Sequence, residues 1–455
     1  MIAGFSQLPA HRLLNVLRRI DTGGARIAVF LLFASAILLR QPTFLISPRF
    51  WCEEGAIYFK QAFEHGTLDS LLFCYGGYYC WVENASAWLA SRVAPLTAAP
   101  LVTTLIAFGV QLVPPGIILW SRADYWDAAW KKSLGLLIVL LAPLTGEIWL
   151  TTVCSKFHLT LAVLLLLAED VSRLSRRQKW AYRGLLAVAA FSSPLPAFAA
   201  CLFILKYLSV REREVLWQGG LLVAGGVLQL AVLLQQPGWL HARQQEAPAH
   251  VYALVAFNRA VVLPFGGLPL AQWLALHKLQ PLLDAGSQAL PVIGVLVFVF
   301  TCGSVIWLAK RLNRRRQIGL LGAWVIFLAV PCLTSGETKD DLIYPHVGSR
   351  YFYVPNVLLG LLLLERITGQ PDCNRRVRRG ALVLLAVFLA QGAWAFRVTY
   401  HDARWKSWRH EVELWTHDHH HPVQLAPGHW TVSLRPVRPH GCKDPACTNG
   451  VAPTR

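Results

Sequence analysis

The chain has 455 residues, of which 55% are apolar and only 15% charged, with 18 tryptophans and a formal charge of +18. An ordinary globular domain carries about 25% charged residues, and a soluble chain of this length needs that polar surface to cover its core. The basic excess does not indicate nucleic acid, because most arginines stand in short loops between apolar runs, as membrane topology requires.

Arg12, Arg18, Arg19 and Arg26 precede an apolar run of roughly 20 residues, too long for a signal-peptide core and without a small-residue cleavage site. It reads as a retained transmembrane helix. Apolar segments then stand at 27–46, 95–120, 133–149, 152–169, 182–193, 195–209, 215–235, 288–309, 317–333, 351–365 and 381–396. The pattern predicts an all-α, polytopic integral membrane protein with about eleven spanning helices.

Alternate loops are basic. They hold Arg122, Lys131 and Lys132; Arg173, Arg176, Arg177, Lys179 and Arg183; Lys206, Arg211 and Arg213; Lys310, Arg311 and Arg314 to Arg316; and Arg366 with Arg375, Arg376, Arg378 and Arg379. Positive-inside bias makes these loops and the N-terminus cytoplasmic, and an odd helix count puts the tail after Phe396 outside. Ser193-Pro194-Leu195-Pro196 interrupts 182–209, and two short helices keep the later basic loops inside. Within 238–287, Val251–Val262 and Leu268–Leu276 are too short to span and predict interfacial or re-entrant helices. The chain thus divides into a membrane domain, 1–396, and an outer-face tail, 397–455. The long outer regions, 47–94, 238–287 and the tail, carry most of the polar sequence.

Chemistry is sought there. Glu53 and Glu54 directly follow the first helix beside Trp51 and Tyr58. A carboxylate at a lipid interface needs a partner or a wet cavity. It serves either as a helix-start residue favouring the dipole or as a general base for a hydroxyl. Tyr75-Gly76-Gly77-Tyr78-Tyr79-Cys80-Trp81-Val82-Glu83-Asn84 predicts a tight turn among aromatics. This is either an interfacial belt or a sugar platform, with Tyr79 and Trp81 stacking and Glu83 or Asn84 bonding hydroxyls. Lys156 and His158 open the fourth helix, where they can hold phosphate or snorkel. Arg350 and Tyr351 close the charged loop 337–350, where a guanidinium can clamp a phosphate.

An acidic motif after the first helix, a Lys/His pair opening a mid-chain helix, an Arg-Tyr at the end of a charged outer loop and a polar tail together resemble the GT-C superfamily. These are membrane glycosyltransferases using polyprenyl-phosphate-linked sugars. The resemblance implies a GT-C-like fold in a plasma membrane, the inner membrane of a bacterium, and inverting transfer to a glycan, lipid or protein acceptor at the outer face. It assigns the base or acceptor-binding role to Glu53 or Glu54, a departure from the usual Asp-containing pair. Arg350, with Lys156 or His158, would receive the departing phosphate. Trp51, Tyr58, Tyr79, Trp81, Glu83, Asn84 and Tyr351 would line the acceptor and sugar.

No motif requires a cofactor, a divalent cation being the one candidate left open, and no Gly-rich nucleotide loop occurs. Cys74 with Cys80 and Cys442 with Cys447 are close enough to pair, though spacing does not fix connectivity. The run His417-Asp418-His419-His420-His421 reads as a solvated segment, and the Pro-rich 422–453 as mostly irregular. The rival readings are a lipid-linked oligosaccharide flippase or other transporter, a polysaccharide polymerase and a membrane acyltransferase. A transporter would place its polar residues at mid-depth, whereas these cluster at helix ends.

Overall fold

The computed structural model describes residues 23–239, 248–285, 290–309, 314–334, 341–368, 375–396, 407–428 and 430–436. In chain order its principal helices are α1 (Gly23–Arg40), α2 (Trp81–Val93), α3 (Ala99–Gln111), α4 (Val113–Trp120), α5 (Ala129–Leu140), α6 (Ser155–Leu167), α7 (Arg176–Ser192), α8 (Ala200–Val210) and α9 (Arg213–Gln235). There follow α10 (Ala249–Asp284, broken at Gly267), α11 (Leu290–Ala309), α12 (Arg314–Thr334), α13 (Tyr353–Thr368), α14 (Arg375–Trp394) and α15 (Trp408–His417). Two small antiparallel hairpins complete the described residues: β1 (Cys74–Tyr75) with β2 (Tyr78–Tyr79), and β3 (Val423–Gln424) with β4 (Thr431–Val432).

Among the described residues, six helices are long and apolar enough to cross a membrane, and four shorter apolar helices accompany them. Large apolar side chains such as Leu32, Leu230, Val295 and Phe298 point outward, the inverse of a soluble surface. The chain is an α-helical membrane protein. Helix α6 is the exception that explains the short helices. It is buried from Ser155 to Leu166, so neighbouring helices rather than lipid surround its 13 residues, and 3-10 turns at Thr152–Cys154 and Val171–Arg173 extend it at both ends.

Side-chain contacts fix the helix directions. Arg183 of α7 pairs with Glu214 at the start of α9, and Gln229 further along α9 donates to Ala190 O. The two helices are therefore parallel. Gly219 faces Phe203 and Gly226 faces Ala197, so α8 runs against both. A Cβ on Gly225 would stand 2.3 Å from that of Ala190; only glycine permits this approach, which replaces the hydrophobic drive that lipid does not supply. The interruption at 193–196 thus separates two helices of opposite direction, as the charge pattern requires.

The bundle has two distinct ends. Lys132 reaches the carbonyls of Leu119 and Ser121, Tyr125 that of Leu361, and Lys206 those of Leu167 and Glu169. These contacts gather the clusters at 122–132, 173–183 and 206–213 at one basic end. At the other, Arg40 reaches Leu140 O, stacks on Trp149 and Phe396, and donates to Thr145. The loops 41–98, 141–154 and 341–352 and the described residues of the tail collect at this loop end.

One expected helix is corrected. The run 133–149 is not one helix: α5 stops at Leu140, and a turn follows with Leu144 and Leu150 at φ of 49° and 60°. Val251–Val262 and Leu268–Leu276 fall in the two halves of α10, which Gly267, at φ +80° beside Gln391, breaks into two helices, so the expected division into short helices stands. The tail beyond Pro422 is mostly irregular among its described residues, as expected, but it is not loose. Ala426 forms a parallel bridge with Trp51, accepting from Cys52 N and donating to Phe50 O. Trp408, Val412, Trp415, Leu425 and Leu434 pack on Phe50 and Phe59 in a core of their own. Residues 437–455, with Cys442 and Cys447, lie outside the described residues, as do Lys310, Arg311 and 337–340. Cys74 and Cys80 are free thiols: the register pairs Cys74 with Tyr79, and Cys80 Sγ instead receives the Tyr58 hydroxyl at 3.0 Å.

Candidate active site at the loop end

The segment 49–59 is held from both sides. Arg49 donates to Gln424 O from the tail, and residues 50–52 extend along Ala426. A π-helical turn, Glu54–Phe59, then packs Gly55 against Leu425. Successive residues of a helix point about 100° apart, so these contacts, by fixing the turn's rotation, decide which glutamate faces which environment.

The two glutamates have different surroundings. Glu54 is 2% exposed. Its Oε2 accepts from Trp51 N at 3.2 Å and its Oε1 from Thr152 N at 3.0 Å and from the Thr152 hydroxyl. Burial raises its pKa, while the bonds from Thr152, Trp51 and Thr103 act in the opposite sense. It ties the first loop to the entrance of α6. Glu53 is partly exposed, with Oε1 3.9 Å from Arg350 and Oε2 buried without a hydrogen bond.

Arg350 lies between two carboxylates. Opposite Glu53 stands Glu147, which the sequence reading absorbed into an apolar run. Glu147 Oε1 accepts from the Ser349 hydroxyl and from Arg350 N, both at 2.7 Å, and its Oε2 is 3.5 Å from the guanidinium. The guanidinium also stacks over Tyr351 at 5.2 Å, and Phe157 meets that ring edge-on. The left-handed leucines at 144 and 150 bracket the turn presenting Glu147, a strain that packing must impose. That turn is the signal available in sequence: one Glu beside Gly146, between apolar runs.

A second polar group adjoins the first. Lys156 Nζ donates to Tyr78 OH at 2.7 Å, and the Lys156 charge attracts Glu83. Glu83 is 1% exposed and neither carboxylate oxygen has a hydrogen bond, so burial lifts its pKa to about 7 against the pull of Lys156.

Several expected site residues have structural work instead. Lys156 and His158 are about 200° apart on a helix, so they cannot serve one ligand. His158 is fully buried between Trp149 and Tyr353, with Nε2 on Ile148 O. Asn84 Nδ2 donates to Leu71 O and Phe73 O, Tyr79 OH to Leu71 O, and Tyr79 N to Gln229. Trp51 and Tyr58 are core residues. Trp81 is exposed at the start of α2, where it fits an interfacial belt.

Among the described residues no group of three His, Cys, Asp or Glu could hold a metal ion. In the tail His421 bonds Glu411 and His419 stacks on Trp415. Glu53 and Glu147 both face the Arg350 guanidinium, which already supplies the cation between them. Two carboxylates suit Mg²⁺ only when substrate phosphate supplies further oxygens.

No protein-family model, no curated protein and no solved structure matches the chain.

Proposed function

We propose that the protein is a membrane glycosyltransferase of GT-C type, moving a sugar from a polyprenyl-phosphate donor to a hydroxyl of a lipid, glycan or protein acceptor. The observation that carries this reading is the guanidinium of Arg350 set between Glu53 and Glu147 at the end of the bundle where the loops gather. Contacts of 3.9 and 3.5 Å are loose and leave the planar fork able to exchange a carboxylate for a phosphate. Glu53, partly exposed and without a hydrogen bond on Oε2, takes the proton from the acceptor hydroxyl. The acceptor oxygen bonds the anomeric carbon as the carbon–phosphate oxygen bond breaks, with inversion. Arg350 and Lys156 receive the charge developing on the phosphate. Glu147 orients Arg350. Tyr78, Tyr351 and Glu83 stand beside this path, where they would contact sugar or acceptor.

The alternating helix directions support about eleven crossings, with α10 re-entrant at the loop end, where Asn258 and Arg259 reach the carbonyls of Ile343 and Tyr344. Basic loops at the opposite end support a cytoplasmic N-terminus and a loop end facing outward, as in a bacterial inner membrane. Polar groups concentrated at one end favour an enzyme over a flippase, which needs them at mid-depth.

The test is turnover of a polyprenyl-phosphate sugar by the purified chain in vesicles. Glu53→Gln should reduce it by roughly 100-fold or more, the scale of a general base, while leaving thermal stability unchanged. Full activity in that variant would overturn the assignment, and transport of the intact lipid-linked sugar would establish the flippase.

A further inference from the structure

A cavity of 580 Å³ lies at the basic end, away from Glu53. Its size falls within the about 300–1,000 Å³ of small-molecule sites. Leu161, Leu164 and Leu165 of α6, Leu202 of α8, Ala323 of α12 and Leu358 of α13 make its apolar wall. Leu205 lines it too and is 49% exposed on the outside of α8, so the space borders the region where lipid chains lie. Such a wall offers water no partners and suits a hydrocarbon chain.

The rim has a different character. Asp124, Glu169, Asp170 and Glu212 line it together with Lys206 and Ser172. Arg173 bridges Asp124 at 2.9 Å and Asp170 at 3.0 Å. Four carboxylates thus face three cations, Lys206, Arg173 and the Lys132 that also acts on Glu169, at an end of the bundle that is otherwise basic. Glu169 is 2% exposed and its Oε1 has no hydrogen bond. Lys206 donates to Leu167 O and Glu169 O, which occupies two of the three N–H groups of an ammonium.

We propose that this cavity binds a phospholipid with a primary ammonium headgroup. One acyl chain fills the leucine-lined space. The ammonium meets the carboxylates of Glu169 and Asp170, and the lipid phosphate takes the remaining Lys206 donor. A headgroup without a cation leaves the carboxylate excess uncompensated, and a trimethylated one cannot donate hydrogen bonds to it. The site is independent of the glycosyl-transfer reading.

Native mass spectrometry of the full chain, equilibrated with phosphatidylethanolamine, phosphatidylcholine or phosphatidylglycerol, tests this. The expected result is one phosphatidylethanolamine retained per chain, with the other two bound at least about tenfold more weakly, the discrimination of one charge-assisted contact. Leu205→Trp, at a half-exposed wall position, should abolish retention, and Ser209→Trp, an exposed residue also lining the space, serves if that variant does not fold. Glu169→Gln should weaken phosphatidylethanolamine about tenfold and leave phosphatidylglycerol unchanged. Equal retention of the three lipids, or full retention in the folded tryptophan variant, would overturn the proposal.

Discussion

Replacing Glu54 by Gln removes one of the two carboxylate oxygens that Trp51 N, Thr152 N and the Thr152 hydroxyl now share. An amide keeps a single acceptor and turns an NH2 toward a backbone N–H that is itself a donor. Each buried donor left unsatisfied costs about 1–3 kcal/mol. Relief from burying an ionisable group, whose pKa the enclosure already raises, offsets part of this. The net loss comes to about 2–3 kcal/mol when one donor is orphaned and the Thr152 pair is weakened. Thermal unfolding in detergent micelles should show Glu54→Gln lower by about 2–6 °C, by the usual conversion for large chains. Glu53→Gln should shift by no more than about 1 °C, since a partly exposed pair at 3.9 Å is worth about 1 kcal/mol or less. A Glu54→Gln protein as stable as the parent, with Glu53→Gln the weaker of the two, would refute the division of roles.

Arg350→Lys keeps the charge but not the fork between Glu53 and Glu147, so turnover should fall, and Arg350→Ala should lose about 2–4 kcal/mol of transition-state stabilisation, roughly 30- to 1,000-fold in rate; equal rates at equal expression would make Arg350 structural. Glu83 has a folded pKa raised to about 7, so its contribution to stability is complete below the ordinary carboxylate range near 4.5 and is lost as pH rises through about 7; unfolding half-lives compared at pH 5 and pH 8 should converge in Glu83→Gln. Trp408→Ala removes a buried indole that meets Phe50 edge-on and donates to Leu96 O; a cost of about 3–5 kcal/mol should appear as protease cleavage within 407–436, and resistance equal to the parent would sink it.

Basic loops and apolar runs were readable because bilayer thickness and charge asymmetry act locally along the chain. The break at Ser193–Pro196 was readable for the same reason, proline being unable to continue a helix. Glu147 was hidden because hydropathy averages a lone carboxylate into its neighbours, and only the left-handed Leu144 and Leu150 show that the run ends in a turn. Adjacent glutamates look equivalent in sequence; Thr152 and Arg350, from 98 and about 300 residues away, separate them. His158 looked like a ligand because i, i+2 proximity in sequence is opposition on a helix. The break in α10 was readable too, since Gly266-Gly267 with Pro269 just beyond ordinarily ends a helix.

The strand pairing of residues 50–52 with Ala426 also sets a timetable. The segment before Glu53 leaves the ribosome early, and its partner follows 375 residues after Arg49. At about 5–20 residues per second, that is an interval of about 20–75 seconds. During it the backbone edge at Phe50 and Cys52 has no strand to pair with, and Gly55 lacks the leucine that later covers it. A nascent chain stalled before residue 423 would carry every transmembrane helix described here and still present residues 50–52 as an open edge, available to a chaperone or to another chain.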